Sequence, residues 1–214
     1  MQRTRVEFLF CGARDMNPSD LLILVFGLAA LGVGVPKAAS WVRRPRLHLY
    51  VERSGAADRL RIGAQIANRF LVRVENTGLS QARACRPTLD TIDYWDGERW
   101  RPHLGFPYSI GLAWADRNLP NAIDLYPSST ADLVLGVAVQ GESAFRLLPP
   151  VTIASGILLE YPAGVYRLGV SVTTGAGEVA RFARHFVVEH GGDWEGVRVR
   201  AEGPESAAYQ VAAA

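Results

Sequence analysis

Hydrophobic positions along the chain fall into two regimes. From Leu21 to Val35 every residue is apolar or glycine, with Asp20 and Pro36 as boundaries. From residue 46 onward the pattern changes to period two. Leu47, Leu49 and Val51 alternate with Arg46, His48, Tyr50 and Glu52, and Phe70, Val72 and Val74 alternate with Leu71, Arg73 and Glu75. Such alternation predicts half-buried strands. Asn76-Thr77-Gly78 then predicts a turn on residues that tolerate positive φ. Ala82 to Tyr94 reads as a further extended stretch, in which Pro87 marks an edge or a bulge. Within Tyr94-Trp95-Asp96-Gly97-Glu98-Arg99-Trp100, Asp-Gly between aromatic residues predicts a hairpin closed by a type I′ turn, with positive φ at both central positions. Ala131 to Val139 is another apolar strand. Tyr166, Leu168, Val170 and Val172 share one face of the next, and Thr174-Gly175-Ala176-Gly177 turns the chain. Ala180, Phe182, Phe186 and Val188 form the return strand, whose pattern weakens at Arg184 and His185. About seven strands divided by Gly, Pro and Asn predict a mainly β protein, an antiparallel sandwich.

The apolar run predicts a membrane segment. Fifteen helical residues span roughly 22 Å, short of a hydrocarbon core of roughly 30 Å. Continuing through Lys37-Ala38-Ala39-Ser40-Trp41 restores the length if Lys37 snorkels and Trp41 lies at the interface. A cleaved signal peptide competes with this reading. Lys37 at −3 for cleavage after Ala39, and Asp15 and Asp20 ahead of the run, oppose it, while cleavage after Ser40 stays open. A buried helix of a globular domain is disfavoured because the run has no amphipathic stripe. Lys37, Arg43, Arg44, Arg46 and Arg53 follow the run, against Arg3, Arg5 and Arg14 before it. The excess of positive charge after the run predicts a cytoplasmic sandwich, the opposite topology being extracytoplasmic. The expected organisation is an N-terminal tail (1–19), one transmembrane helix (20–41), a β-sandwich (46–200) and a flexible C-terminal tail (201–214).

Composition fits one domain plus an anchor: 214 residues, 49% hydrophobic and 21% charged. The net charge of +2 gives no electrostatic footprint for nucleic acid. Cys11 and Cys85 would lie on opposite sides of a bilayer, so a disulfide is not expected. Cys85 reads as a buried thiol packed as a small apolar side chain.

Motifs for catalysis are missing: there is no Gly-x-Ser-x-Gly, Walker loop, His-Glu-x-x-His or Cys-x-x-Cys. Asp90, Asp93, Asp96 and Glu98 form the densest acidic group, but on a regular strand Asp90 and Asp93 face opposite ways, which predicts solvated side chains rather than a calcium site. His185, His190, Asp193 and Glu195 have irregular spacing and read as a polar loop rather than a metal site. No catalytic residue, metal or cofactor is expected. Tyr94, Trp95, Trp100, Phe106, Tyr108 and Trp114 instead crowd into 21 residues, interleaved with Arg99, Arg101 and His103. Aromatic residues beside arginine are the composition of a contact surface. Tyr94, Trp95, Arg99, Trp100, Tyr108 and Trp114 are the candidate binding residues. The competing expectation is that half of the aromatics fill the core and the others cap its end.

The strand Phe70-Leu71-Val72-Arg73-Val74-Glu75 running into Asn76-Thr77-Gly78 resembles the opening of bacterial and archaeal adhesion-type immunoglobulin-like modules, the CARDB-like group. Leu125-Tyr126-Pro127 before the strand at Ala131 resembles their mid-domain turn, and Gly164-Val165-Tyr166-Arg167-Leu168-Gly169-Val170 resembles their penultimate strand. The resemblance covers residues 68–189 by pattern and implies an immunoglobulin-like Greek-key sandwich used for display or contact. The stretch from Trp95 to Asn121 is longer and more aromatic than that group's connection. The expected function is that of a membrane-anchored, non-enzymatic protein-interaction or scaffolding module, held to the lipid bilayer by its N-terminal helix and binding a protein partner. The alternative is an extracytoplasmic adhesion or carbohydrate-binding module.

Overall fold

The computed structural model describes residues 44–51, 58–62, 64–104, 106, 109–116, 118–147, 160–175, 180–203 and 209–211, and none of these is helical. The predicted membrane segment 20–41 lies outside them. The chain divides into Met1–Arg44 and Pro45–Ala214, and the second unit holds all the described strands. They are β1 (Leu47–Tyr50), β2 (Asp58–Ile62), β3 (Gln65–Asn76), β4 (Ala82–Trp95), β5 (Trp100–Pro102), β6 (Ile110–Gly111), β7 (Ile123–Leu125), β8 (Thr130–Val139), β9 (Ala144–Arg146), β10 (Glu160–Pro162), β11 (Gly164–Thr173), β12 (Arg181–His190), β13 (Arg198–Ala201) and β14 (Tyr209–Val211).

They form two antiparallel sheets. The smaller runs β1-β3-β8-β9-β10 with β2 also on β3, and the larger runs β13-β12-β11-β4-β5 with β14 also on β12 and β6 and β7 also on β4. The strand number exceeds the expected seven because edges are built in pieces. β1 and β2 line successive stretches of β3, β5, β6 and β7 line β4, and β13 and β14 line β12. Residues 209–211, expected in a flexible tail, pair with Arg181–Ala183 and satisfy backbone groups that an edge otherwise leaves open.

Between the sheets the inward side chains make one core. Leu47, Leu49, Phe70, Val72, Val74, Leu133, Leu135 and Phe145 of the smaller sheet meet Leu89, Ile92, Leu168, Val170, Val172, Phe182, Phe186 and Val188 of the larger. Full burial of such side chains contributes about 1.5–3 kcal/mol each. Period two is therefore a sound guide in β1, β3, β11 and most of β12. Cys85 is also buried, and burial pushes its thiol up to about 11. One end of the core is aromatic: Phe145 stacks on Tyr161, and both meet Tyr166 edge-on. The Tyr166 hydroxyl donates back to the Pro162 carbonyl at 3.0 Å, tying the start of β11 to the preceding corner.

Three local expectations are corrected. Asn76-Thr77-Gly78 turns without positive φ. Asn76 is instead completely buried, and its amide makes four bonds. Nδ2 donates to the carbonyls of Ser80 (2.7 Å) and Leu125 (2.9 Å), and Oδ1 accepts from the backbone of Gly78 (3.0 Å) and Arg46 (3.3 Å). That uses the full hydrogen-bonding capacity of the group.

The Trp95–Trp100 hairpin pairs Trp95 with Trp100 and Asp96 N with the Arg99 carbonyl, so the turn centres on Gly97-Glu98. Only Gly97 has positive φ (103°), which excludes a type I′ turn. The Asp96 side chain is the cause: its Oδ1 accepts from the N–H groups of Glu98 and Arg99 at 2.9 Å each and draws the turn one residue forward.

In β4, irregularity falls on both sides of Pro87 rather than at it. Ala82 pairs with Leu125 and Cys85 with Ile123, so Arg83 and Ala84 oppose one residue, Asp124. Gly169 pairs with Thr91 and Val170 with Leu89, which leaves Asp90 as an inserted residue, a β-bulge.

Replacing Asn76 with Ala strands two donors and two acceptors in a buried corner. An unsatisfied buried group costs about 1–3 kcal/mol, and with partial relaxation the variant loses on the order of 3 kcal/mol of unfolding free energy. Urea denaturation of wild type and Asn76→Ala measures this, and a loss below about 1 kcal/mol would show that Asn76 does not pin the corner.

Candidate interaction surface

The bulge at Asp90 decides which side chains of β4 reach the outer face of the larger sheet. Leu89 faces the core, and without an insertion Thr91 and Asp93 would follow it inward. With Asp90 inserted, Ile92 takes the next core position, opposite Leu168. Asp90 and Asp93, expected on opposite faces, thus share the outer one. Their partners are outward residues of neighbouring strands: Asp90 Oδ2 meets Arg181 Nη2 at 2.6 Å, and Asp93 Oδ2 meets Arg167 Nη2 at 2.7 Å and Nε at 2.9 Å.

Hydrogen bonds steady the first pair, and longer charge contacts flank the second. Asp90 Oδ1 accepts from Thr88 Oγ1 (3.2 Å) and Ser109 Oγ (3.1 Å), and Thr88 lies 2.9 Å from the buried hydroxyl of Ser171. Arg167 Nη1 lies 3.9 Å from Glu202, which also faces His185 at 4.0 Å. Between these groups is an open groove of about 600 Å³, lined by residues that include Asp90, Thr91, Arg167, Arg181, His185 and Glu202. Gly169 forms part of it. A Cβ there would overlap Thr91 Oγ1 and press on the His185 ring, so any larger residue makes those two side chains shift.

Arg167 joins the groove to the hairpin. Its guanidinium lies 5.1 Å from the centre of the Trp100 ring, and Trp100 packs edge-on against Trp95 with centroids 5.3 Å apart. Trp95 keeps 41% of its surface exposed, and Trp100 is half-buried. A rigid aromatic pair backed by an arginine is the kind of feature that dominates protein contacts. In the turn, Arg99 is exposed, and Arg101 is ion-paired to Asp96.

The six candidate binding residues separate. Trp95, Arg99 and Trp100 come together on the hairpin. Tyr94 turns to the inner side, where its ring meets His103, which in turn packs on Tyr161; it is a partly exposed edge of the aromatic core. Trp114 is 4% exposed and bridges to Leu133, so it is core rather than surface. Its segment returns to β8, where Val134 N donates to the Ala113 carbonyl and Ala115 N to that of Asp132. Tyr108 lies outside the described residues.

Among the described residues no group of His, Cys, Asp and Glu is arranged to hold a metal. His190 is not in a loop: it ends β12, buried against Phe145, and burial holds its imidazole below the ordinary value. Sequence reading gave no role to two residues. Arg167 looked like ordinary polar alternation until its partners were known. Arg184 occupies the inward slot between Phe182 and Phe186, only 4% exposed, and donates to the Leu49 carbonyl at 2.7 Å. A charge at an inward position of an apolar pattern was the available signal.

No protein family, curated protein or solved structure matches the chain. The hairpin gives a pH test of its own. The N–H of Arg99 first, then Arg101 and the N–H of Glu98, hold the Asp96 carboxyl down at about 2, against an ordinary 3.8. A carboxylate depressed on folding stabilises above its unfolded value and loses that contribution as pH falls through the folded one. The turn therefore persists at pH 5 and opens between about pH 4 and pH 2. Amide chemical shifts of Glu98 and Arg99 follow this, and Asp96→Asn removes the titration. A midpoint near 4 for the Asp96-dependent shift would contradict the depressed carboxyl.

Proposed function

We propose that the protein is a non-enzymatic, membrane-anchored interaction module whose immunoglobulin-like sandwich offers the outer face of its larger sheet, chiefly the Trp95–Trp100 hairpin, to a protein partner. The immunoglobulin-like assignment is supported by the order β1-β3-β8 in one sheet against β12-β11-β4 in the other, with the chain crossing between sheets from β3 to β4. The bond from Tyr166 back to Pro162 is also the corner typical of such folds at this position.

The observation that carries the binding reading is the exposed Trp95 packed on Trp100 and braced by Arg167. Two rings held in place lose little conformational freedom on binding, so their burial is retained as affinity. The neighbouring acids and bases are matched to one another, Asp90 with Arg181 and Asp93 with Arg167. Such matching fixes the shape of a surface. Anchorage rests on the apolar segment 20–41, and the basic residues that follow it favour a cytoplasmic sandwich.

A second reading is an extracytoplasmic adhesion or carbohydrate-binding module, favoured by the polar groove that adjoins Trp100 through Arg167. Activity of a C-terminal reporter only when it requires export would select this topology.

The leading reading is tested by pulldown with the detergent-solubilised full chain, comparing wild type with Trp95→Ala, Trp100→Ala. A central aromatic truncation costs about 2 kcal/mol, roughly thirtyfold in affinity. Recovery of the partner therefore collapses in the double variant while its circular dichroism and melting temperature match wild type. Equal recovery by both proteins, with the fold intact, would remove the hairpin as the contact surface.

A further inference from the structure

Residues 191–197 join β12 to β13 within the larger sheet, yet they are also held to the smaller one. The Trp194 carbonyl accepts at 2.9 Å from Nδ2 of Asn68, a β3 residue only 3% exposed. The Trp194 side chain packs partly buried against the core. Arg59 of β2 lies over its ring, 5.9 Å from the centre, and 3.5 Å from Glu195. Arg59 and Glu195 are both mostly exposed, so their pairing adds little. The buried amide is the stronger tie between the sheets.

An imidazole fastens the start of the same segment. His190, the last residue of β12, is 3% exposed, and its Nδ1 accepts from the N–H of Gly192 at 3.2 Å. A ring nitrogen that accepts carries no proton, so the imidazole in this bond is neutral. Gly192 meets it with a φ of 90°, a left-handed value suited to glycine. A proton on Nδ1 would remove the acceptor and set two N–H groups against each other. It would also leave a charge beside Phe145, whose ring stands edge-on to the imidazole with centroids 6.0 Å apart.

Burial is the largest influence on His190 and holds it below its ordinary 6.5, against the opposing pull of the Ser143 carbonyl and the Asp193 carboxylate. From β11, the residue opposite His190 is Gly164, which carries no charge. The other titratable groups of this aromatic end are Tyr161 and Tyr166, which burial keeps protonated, and His103, which packs on Tyr161.

From these two ties we infer that residues 191–197 form an acid-released clasp between the sheets. Neutral His190 keeps the clasp closed, and a proton on Nδ1 frees Gly192 and lets Trp194 leave the edge of the core. The closed form binds that proton less readily than the open one. The clasp is therefore firm above about pH 6.5 and loosens as pH falls below it. Gly164 pairs with His190, and Tyr166, two residues on, pairs with Tyr94, so the clasp shares the hairpin's end of the sandwich. Acid thus exposes a further tryptophan at the end that carries Trp95 and Trp100.

The test is amide hydrogen exchange of the detergent-solubilised full chain, resolved by NMR at about pH 7.5 and about pH 5 and scaled to unstructured peptide at each pH. The amides of Gly192 and Gly196 are expected to exchange faster than that of Val170 in the core, which marks a local opening. Their protection is expected to fall several-fold at the lower pH. His190→Asn, whose Oδ1 replaces Nδ1 as an acceptor that does not titrate, is expected to keep the protection at both values. Asn68→Ala, which spares the imidazole, is expected to lower the protection at both and to keep the pH dependence. Equal wild-type protection at the two pH values would overturn the clasp, as would a pH dependence that survives His190→Asn. Exchange of Gly192 and Gly196 at the rate of Val170 would show that the segment opens only with the whole fold. Full protection in Asn68→Ala would remove the tie across the sheets. If His190→Asn does not fold, titration of the wild-type His190 imidazole decides: a midpoint at or above 6.5 would overturn the acid release.

Discussion

One inserted residue in β4 sets the character of the larger sheet. The side-chain period of a strand is two, so a single insertion exchanges the two faces for every residue beyond it. At Asp90 that exchange sends Ile92 into the core and brings Asp93 and Trp95 to the outside. The bulge is held by the Asp90 carboxylate itself, which Arg181, Thr88 and Ser109 all engage. The acid that interrupts the ladder thus also organises the outer face. Asp93 then meets Arg167, Arg167 braces Trp100, and Trp100 supports Trp95. Each of these contacts presupposes the parity that the bulge creates.

Much of the β architecture was legible in the sequence because most strands are half-buried and obey period two. Leu47 and Leu49, Phe70 to Val74, and Tyr166 to Val172 all face inward as their alternation implies. Alternation failed where side chains, rather than backbone periodicity, determine the geometry. In β4 the buried positions are 82, 85, 87, 89 and 92, and the two spacings of three are the bulges. The step from Leu89 to Ile92 was a visible sign of one of them. Asp-Gly did mark the hairpin, but Asp96 used its carboxylate to cap the turn and shifted it by one residue. Asn76 looked like a residue chosen for positive φ, whereas its value lies in a four-bond amide that only a fold with several converging segments can satisfy. Composition could not divide the aromatics, since whether Trp114 or Trp95 is buried depends on pairings with β8 and β5 that are remote or register-dependent.

The two ends of the sandwich are specialised by different physics. At one, a buried amide gathers Arg46, Gly78, Ser80 and Leu125, and order comes from satisfied backbone groups. At the other, edge-on rings and an arginine hold the hairpin, and order comes from packing around a partly exposed pair. The core between them joins both sheets through large apolar side chains, and Arg184 adds a polar tie from β12 to the Leu49 carbonyl of β1. Burying a guanidinium is costly unless its donors are bonded, and the Leu49 carbonyl satisfies one of them.

The most direct measurement of the central claim is photo-crosslinking in intact cells, with a benzophenone amino acid at Glu98 in the hairpin or at Gln65 on the smaller sheet. Gln65 is exposed and begins β3, at the opposite end of that strand from Asn76, so it shares the remote end of the sandwich but not its larger-sheet face. The account predicts one discrete protein adduct from position 98 that is lost with Trp95→Ala, Trp100→Ala, and none from position 65. The same adduct from both positions, or one that survives loss of the two tryptophans, would contradict it.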